Sequence, residues 1–343
     1  MPNWRKRHSL PYKRVLFVTN INTPIQPSNY EEVVEQLHTV ADFCRYGASL
    51  FNQAELFYGH GTDNAYSEAL TLVMYALSLP DDLRDKAVNC RLITQEKYDI
   101  LSLFERRINE GVPVAYITNL AYFAGLPFYV DERVLVPRSP IAELIENKFS
   151  LAINFKDNLP NKPERILDLC TGSGCIAIAC ASYFPHAEVD AADLSVDALN
   201  VAQINIENHG LMEQVIPIQS DVFSGVEGQK YDLIVTNPPY VDQQDIDSLP
   251  TEYTFEPEMG LGAGEDGLDI VRIILAQSAQ HLNDDGHLIC EVGNSQVHVE
   301  ALYPQVPFTW LTFERGGHGV FLLTKAKLIK FAPYFEAALK PVL

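Results

Sequence analysis

The sequence predicts an α/β protein in which a doubly wound, mostly parallel sheet follows a small helical domain. Three observations point there. From Arg165 onward, strand-like and helix-like apolar segments alternate, the pattern of parallel strands joined by crossover helices. Between Glu31 and about Asn109 the apolar positions instead recur at helical spacing. Near the end, two strand-like segments flank Gly316-Gly317-His318-Gly319, which implies an antiparallel hairpin at the sheet edge.

Residues 1–29 carry Arg5, Lys6, Arg7, His8, Lys13 and Arg14 but no Asp or Glu. A solvated tail, a basic arm touching RNA and an organelle transit peptide all fit this extension. The helical domain follows over residues 30–113. Val34, Leu37, Val40, Ala41 and Cys44 share one helix face, Leu70, Val73, Met74 and Leu77 a second, and Ile100, Leu103, Phe104 and Ile108 a third. Pro80 stops the second helix and Gly111-Val112-Pro113 the third. Residues 114–140 form a connector, in which Tyr122, Phe123, Phe128 and Tyr129 around Gly125-Leu126-Pro127 predict two short strands and a turn. Ser139-Pro140 is a helix start, since serine can accept a free backbone N–H and proline suits the first helical position. In the main domain, residues 141–330, strands are expected at 166–169, 188–192, 215–218, 232–236 and 287–292, with helices at 176–182, 196–208 and 270–282. Segments 308–313 and 320–323 make the edge hairpin, and residues 331–343 are left as a tail.

Composition narrows the function classes. The chain has 343 residues, 45 acidic against 25 basic, for a net charge of −20, and its 47% hydrophobic content suffices for two folded domains. A surface this acidic repels phosphate backbones, so stable nucleic-acid binding is expected nowhere except through the basic opening. The six cysteines form no CxxC pair and lack a histidine at zinc spacing, which indicates neither a metal site nor a disulfide scaffold. Cys170, Cys175 and Cys180 read as small apolar fillers. With no apolar run of about 18 residues and no secretory signal, the expectation is a cytoplasmic protein without a membrane partner. His60, between two glycines, reads as structural.

Two segments carry chemistry. Asp168-Leu169-Cys170-Thr171-Gly172-Ser173-Gly174 lies between a strand and a helix, where small residues let a ligand approach the backbone and free N–H groups attract negative charge. Asp193 ends the next strand, where an acid can take both hydroxyls of a ribose. Ala177 stands where the dinucleotide fingerprint has its third glycine, which favours a mononucleoside such as S-adenosylmethionine over NAD. Asp221 can accept from an adenine amine while Val222 or Phe223 covers the ring; a helix cap is the plainer role for that aspartate. After the fourth strand comes Asn237-Pro238-Pro239-Tyr240. The prolines stiffen the backbone and remove two donors. The Asn237 side chain and the Pro238 carbonyl can then hold both hydrogens of a planar –NH₂, with Tyr240 as a flat wall.

These segments, together with residues 58–64, 120–143 and 290–294, resemble the protein glutamine methyltransferases, which methylate the side-chain amide of a Gly-Gly-Gln motif. One branch acts on release factors and another on the third large-subunit ribosomal protein. Tyr58-Gly59-His60-Gly61-Thr62-Asp63-Asn64 and Cys290-Glu291-Val292-Gly293-Asn294 are similar to the ribosomal-protein branch, as is Arg138-Ser139-Pro140-Ile141 where the release-factor branch has an Arg-Pro-x-Thr-Glu sequence. The resemblance, from about Tyr30 to Leu328, implies a Rossmann-like class I methyltransferase fold with a seven-stranded sheet. It implies S-adenosylmethionine as cofactor at Asp168, Cys170 to Gly174, Asp193, Asp221 and Val222, with Asn237 to Tyr240 catalytic. It puts Arg138 and Glu143 beside the active site, near the substrate; ion pairs at the domain boundary or on the helix surface are their plainer roles. The helical domain is expected to select the protein substrate and not to perform chemistry. An adenine amino methyltransferase of nucleic acid shares the Asn-Pro-Pro-Tyr chemistry but fits the charge poorly. A binding module without activity would not need all three motifs.

Overall fold

The computed structural model describes residues 30–150, 152–153 and 163–339. The basic opening and the last four residues lie outside them. In the N-terminal part, α1 (Tyr30–Gln36), α2 (Val40–Gln53), α3 (Ala65–Ala76), α4 (Arg84–Ala87) and α5 (Thr94–Glu105) enclose Phe43, Phe51, Leu72, Ile100 and Phe104. The sequence has good reason to start α2 where it does. Thr39 Oγ1 accepts from Asp42 N at 3.2 Å while the Asp42 carboxylate accepts from Thr39 N at 2.9 Å, a capping box. After α5 one π-helical turn, Arg106–Glu110, runs to Gly111 at φ +76°.

Two differences from expectation lie in the connector. It opens on a buried helix, α6 (Val114–Thr118), whose five residues are too short to show a period. In the hairpin of β1 (Ala121–Phe123) and β2 (Leu126–Phe128) the turn is Ala124-Gly125, not Gly125-Leu126-Pro127. Both turn residues have positive φ, +48° and +76°, which matches the twist of the strands. Pro127 pairs with Tyr122 inside the ribbon. At α7 (Ile141–Glu146) Ser139 Oγ does accept from Ile141 N, at 3.1 Å, but Pro140 is the cap and not the first helical residue.

The main sheet runs β5-β4-β3-β6-β7-β9-β8, with β3 (Arg165–Leu169), β4 (Glu188–Asp193), β5 (Val215–Gln219), β6 (Tyr231–Thr236) and β7 (Leu282–Glu291) parallel. β8 (Thr309–Trp310) and β9 (Val320–Thr324) add the antiparallel edge. Successive side chains point to opposite faces, so Ile166, Leu233 and Val235 pack with α7 and α8 (Cys175–Tyr183). Leu167, Ile234 and Leu288 pack instead with α12 (Asp269–His281) and α14 (Lys325–Ala337). α9 (Val196–Asn208) joins β4 to β5, the crossover from β6 to β7 carries α10 (Gln243–Ile246) and α11 (Glu258–Leu261) before α12, and α13 (Gln296–Leu302) follows β7. β8 is only two residues where a strand over 308–313 was expected. The expected boundary at 330 falls inside α14, so the supposed tail is helical to Ala337. Pro333 looks like a breaker, yet Leu328 and the fully buried Phe335 anchor the helix on both sides of it. Among the described residues no helix is long and apolar enough to cross a membrane.

One buried ion pair network fastens the helical part to the β6–β7 crossover. Arg107, 1% exposed, donates from Nε to Glu68 at 2.8 Å, from Nη1 to Glu252 at 3.3 Å and from Nη2 to the Phe57 carbonyl at 2.9 Å. Glu252 also accepts from Phe57 N at 2.9 Å. Arg107→Ala leaves two carboxylates buried without their cation, so it should lower stability by about 3–5 kcal/mol. Urea unfolding followed by circular dichroism measures this; a loss below about 1 kcal/mol would mean the network carries little of the stability.

Candidate active site

The strand order reverses between β3 and β6. Crossovers on its two sides leave in opposite directions, which opens a crevice at the carboxyl ends of these strands. Both sequence motifs end there. A cavity of about 940 Å³ fills the crevice and is lined by Cys170 to Ser173, Asp193, Asp221, Val222, Asn237 to Tyr240 and Arg138. That volume is at the upper end for small-molecule sites.

The β3–α8 loop is folded by its own residues. Cys170, Gly172 and Gly174 all have positive φ (+57°, +54°, +79°). A methyl group built on Gly172 would meet no atom within 4 Å, and the glycine lines the cavity, so a ligand can lie against bare backbone there. Asp193 Oδ2 accepts from Gly172 N and its Oδ1 from Ser195 N, both at 2.9 Å, which leaves further lone pairs on both oxygens. Burial raises its carboxyl above the usual range despite these bonds. Val222 also sits at positive φ (+50°), a costly state for a β-branched residue that concentrates at functional sites. Asp221 lies exposed beside it; the short helical turn at Ser224–Val226 has no side-chain cap, so the capping role is not used.

Three residues expected at the ligands lie elsewhere. Gly174 is absent from the cavity lining because it faces α9, where a methyl group built on it would fall 3.2 Å from Ala202 Cβ. Asp168 does not line the cavity, because alternation along β3 points it toward α8 with Ile166. Its Oδ2 accepts from Thr171 Oγ1 at 2.5 Å and Ala177 N at 3.0 Å, so it holds the loop from behind. Burial lifts this carboxyl to about 7 against the lowering effect of those bonds. Glu143 is absent from the lining too. It accepts from Glu314 N and Arg315 N at 2.9 and 3.0 Å and ties α7 to the β8–β9 turn, the ion-pair role.

At the other wall Asn237 Oδ1 is buried and has no hydrogen-bond partner among the described residues. Arg138 lines the cavity and is also an ion pair: it forks onto Glu256 at 2.5 and 2.6 Å and lies 5.2 Å from the Tyr253 ring centroid. Burial alone would raise Glu256, but His60 and Arg138 hold it down at about 2. Glu256, Tyr253, Asn205 and Glu291 were not foreseen as site residues. Asn205, on α9, donates to the Ser173 and Tyr129 carbonyls at 2.8 and 3.0 Å, locking the loop to the connector. Glu291, at the end of β7, accepts from Ser139 Oγ at 2.5 Å and Tyr240 Oη at 3.0 Å. Glu291 lies in the Cys290–Asn294 segment that carries the resemblance, while no local signal marks Glu256, Tyr253 or Asn205. Among the described residues no group of His, Cys, Asp and Glu is arranged to hold a metal.

Residues 151–255 match the family described as methyltransferase small domain. The chain is 44% identical over 306 residues to the ribosomal protein uL3 glutamine methyltransferase of Francisella tularensis subsp. tularensis, covering 89% of this chain and 96% of that one. It is 50% identical over 300 residues to the protein of the same description from Xanthomonas campestris pv. campestris, covering 86% and 94%. A methyltransferase crystal structure from Pyrococcus furiosus aligns with 59% of the chain and 89% of its own at 18% identity and a TM-score of 0.42.

The raised Asp168 carboxyl has a consequence for stability. Its folded value, about 7, lies above the ordinary 3.8, so between these pH values the folded protein binds a proton that the unfolded chain does not. The contribution is therefore full below pH about 4 and is lost as pH rises through about 7. Measured against Asp168→Asn, which has no such proton, the wild type should lose up to about 1.4 kcal/mol per pH unit across that window. Chemical denaturation at pH 4.5 to 8 reads the difference, and a flat one would mean Asp168 titrates normally.

Proposed function

We infer the activity from one premise, that the chain belongs to the ribosomal protein uL3 glutamine methyltransferases, with 44–50% identity over nearly nine-tenths of its length. It transfers a methyl group from S-adenosylmethionine to the side-chain amide nitrogen of a glutamine in ribosomal protein uL3. We assign the reaction to the cytoplasm, where newly made ribosomal protein is met, and the target to a Gly-Gly-Gln loop.

The donor supplies an electrophilic methyl on a sulfonium. The residues present fit it: bare backbone at Gly172, spare lone pairs on Asp193 for ribose hydroxyls, and Asp221 with Val222 for the adenine. The chain's own task is the amide. Its nitrogen is a poor nucleophile because the lone pair is delocalised into the carbonyl. Asn237 Oδ1 takes one N–H and the Pro238 carbonyl the other, which favours pyramidal nitrogen and frees the lone pair as the new bond forms. Tyr240 walls the slot. No base is needed beforehand, since the nitrogen becomes acidic once methylated and then releases its proton. The observation that carries this reading is the buried, unpartnered Oδ1 of Asn237, since a lone acceptor is costly unless a ligand donor meets it. The helical domain, residues 30–113, is assigned the selection of the protein substrate.

Asn237→Ala should leave donor affinity within about threefold and cut single-turnover transfer by on the order of 10² or more. Asp193→Ala should do the opposite at the binding step, weakening the donor at least about tenfold by calorimetry for a loss of about 1.5–3 kcal/mol. With a net charge of −20, the enzyme should methylate isolated basic uL3 faster than the mature ribosome, and more slowly as salt rises. Mass spectrometry should find one methyl on the glutamine. Transfer that survives Gln→Glu in the substrate, or that appears on adenine, would overturn the reading.

A further inference from the structure

We propose that Glu291 is a positioning residue for methyl transfer, holding Tyr240 against the amide slot through the tyrosine hydroxyl. This rests on the reading of Tyr240 as a wall of that slot. Glu291 ends β7, between β6 and β9 near the middle of the sheet, and is 4% exposed. A carboxylate in such a place is costly unless fully hydrogen-bonded. The nearest cation does not pair with it, because both ends of the Arg138 fork go to Glu256. Its partners are two hydroxyls, Ser139 Oγ at 2.5 Å and Tyr240 Oη at 3.0 Å. Ser139 is itself held in place by accepting from Ile141 N at the start of α7. The carboxylate thus joins a rigid helix start to the tip of the tyrosine.

The rest of Tyr240 is held by the same short segment. Ser295 Oγ donates to its carbonyl at 2.7 Å. A methyl group built on Gly293 would fall 2.6 Å from the ring carbon Cε2, so the ring lies directly against the glycine backbone. Glycine leaves room for the ring and lies along it as far as the hydroxyl, and Ser295 fixes the main chain, but contact alone lets the ring slide. Among the described residues, the directional hold on its outer end is the hydrogen bond from Tyr240 Oη to Glu291. Loss of that bond leaves Asn237 and its two prolines in place, so the amide still binds, while the wall that aligns it loosens. The effect belongs in kcat and not in KM.

The test is a double-mutant cycle on the full chain, with steady-state methylation of uL3 at saturating donor and calorimetric donor binding as a check on folding. Wild-type methylation of the uL3 glutamine is read first; its absence from a donor-binding protein contradicts the functional reading itself. Glu291→Gln and Tyr240→Phe should each lower kcat about tenfold, with KM for uL3 and donor affinity within about threefold, and the double variant should be no more than about twofold worse than Tyr240→Phe alone. Losses that multiply to about a hundredfold, or an unchanged kcat in Glu291→Gln, overturn the proposal. Should Glu291→Gln fail to bind donor, Ser139→Ala takes its place in the cycle. It frees the other carboxylate oxygen, so the same non-additivity with Tyr240→Phe supports the proposal and multiplicative losses defeat it.

Discussion

An acceptor kept unsatisfied is the constraint on which the site depends. Protein interiors pair their buried oxygens, and a lone one costs about 1–3 kcal/mol, so a fold left to itself would close a bond to Asn237 Oδ1. Among the described residues nothing does, and several donors of the surrounding segments are engaged elsewhere. Thr236 Oγ1 donates to the Leu169 carbonyl, Ser139 Oγ and Tyr240 Oη to Glu291, Ser295 Oγ to the Tyr240 carbonyl, and Arg138 to Glu256. Pro238 and Pro239 have no N–H to offer. Glu256 and Glu291 thus take up three donors of the cavity lining, Arg138, Ser139 and Tyr240.

The same two acids show how the cavity wall is built. Residues 242–262 form the outer side of the cavity through Asp245, Tyr253, Met259 and Leu261, and their helices are too short to hold themselves. The segment is pinned at two points from the N-terminal half. Glu252 accepts from Phe57 N and Arg107, and Glu256 from Val136 N and Arg138, with His60 Nε2 3.7 Å away. A helical domain assigned to substrate selection thus also props up the catalytic wall. Its removal would strand Glu252, which loses both Phe57 N and Arg107, while Glu256 would keep Val136 N and Arg138 and lose only His60, so a cut near Val114 disturbs the catalytic wall as well as selection.

What the sequence reveals follows from how local the cause is. Strand–helix alternation, the Gly-rich loop, Asp193 and Asn-Pro-Pro-Tyr are each legible within a few residues, and the sheet brings them to one crevice. Asp168 belongs to the loop motif by adjacency, but the strand's alternation turns it away from the cavity, which a motif read as a string cannot show. The resemblance puts Glu143 beside the active site together with Arg138, yet α7 directs the glutamate to Glu314 and Arg315. Glu256 and Glu291 act on partners 118 and 152 positions away, and only the fold makes them neighbours. Helix α14 runs through Pro333 into residues expected to be a tail, because Phe335 offsets the local cost of the proline from the core.

Charge then acts at two ranges that do not interfere. The exposed acids at the cavity rim, among them Glu132, Asp197 and Asp221, contribute to a field that reaches a basic protein over about a Debye length, roughly 8–10 Å at ordinary ionic strength, and fades in salt. The pairs that shape the slot are buried and feel salt far less. Arg107 is 1% exposed, and the Glu256 side chain is fully covered although that of Arg138 keeps 27%. Encounter can therefore be tuned by ionic conditions while the geometry around Asn237 stays the same. An enzyme proposed to take its target from a loop on a basic protein is served by that separation. A field strong enough to collect its substrate would otherwise distort the few hydrogen bonds on which a weak nucleophile depends.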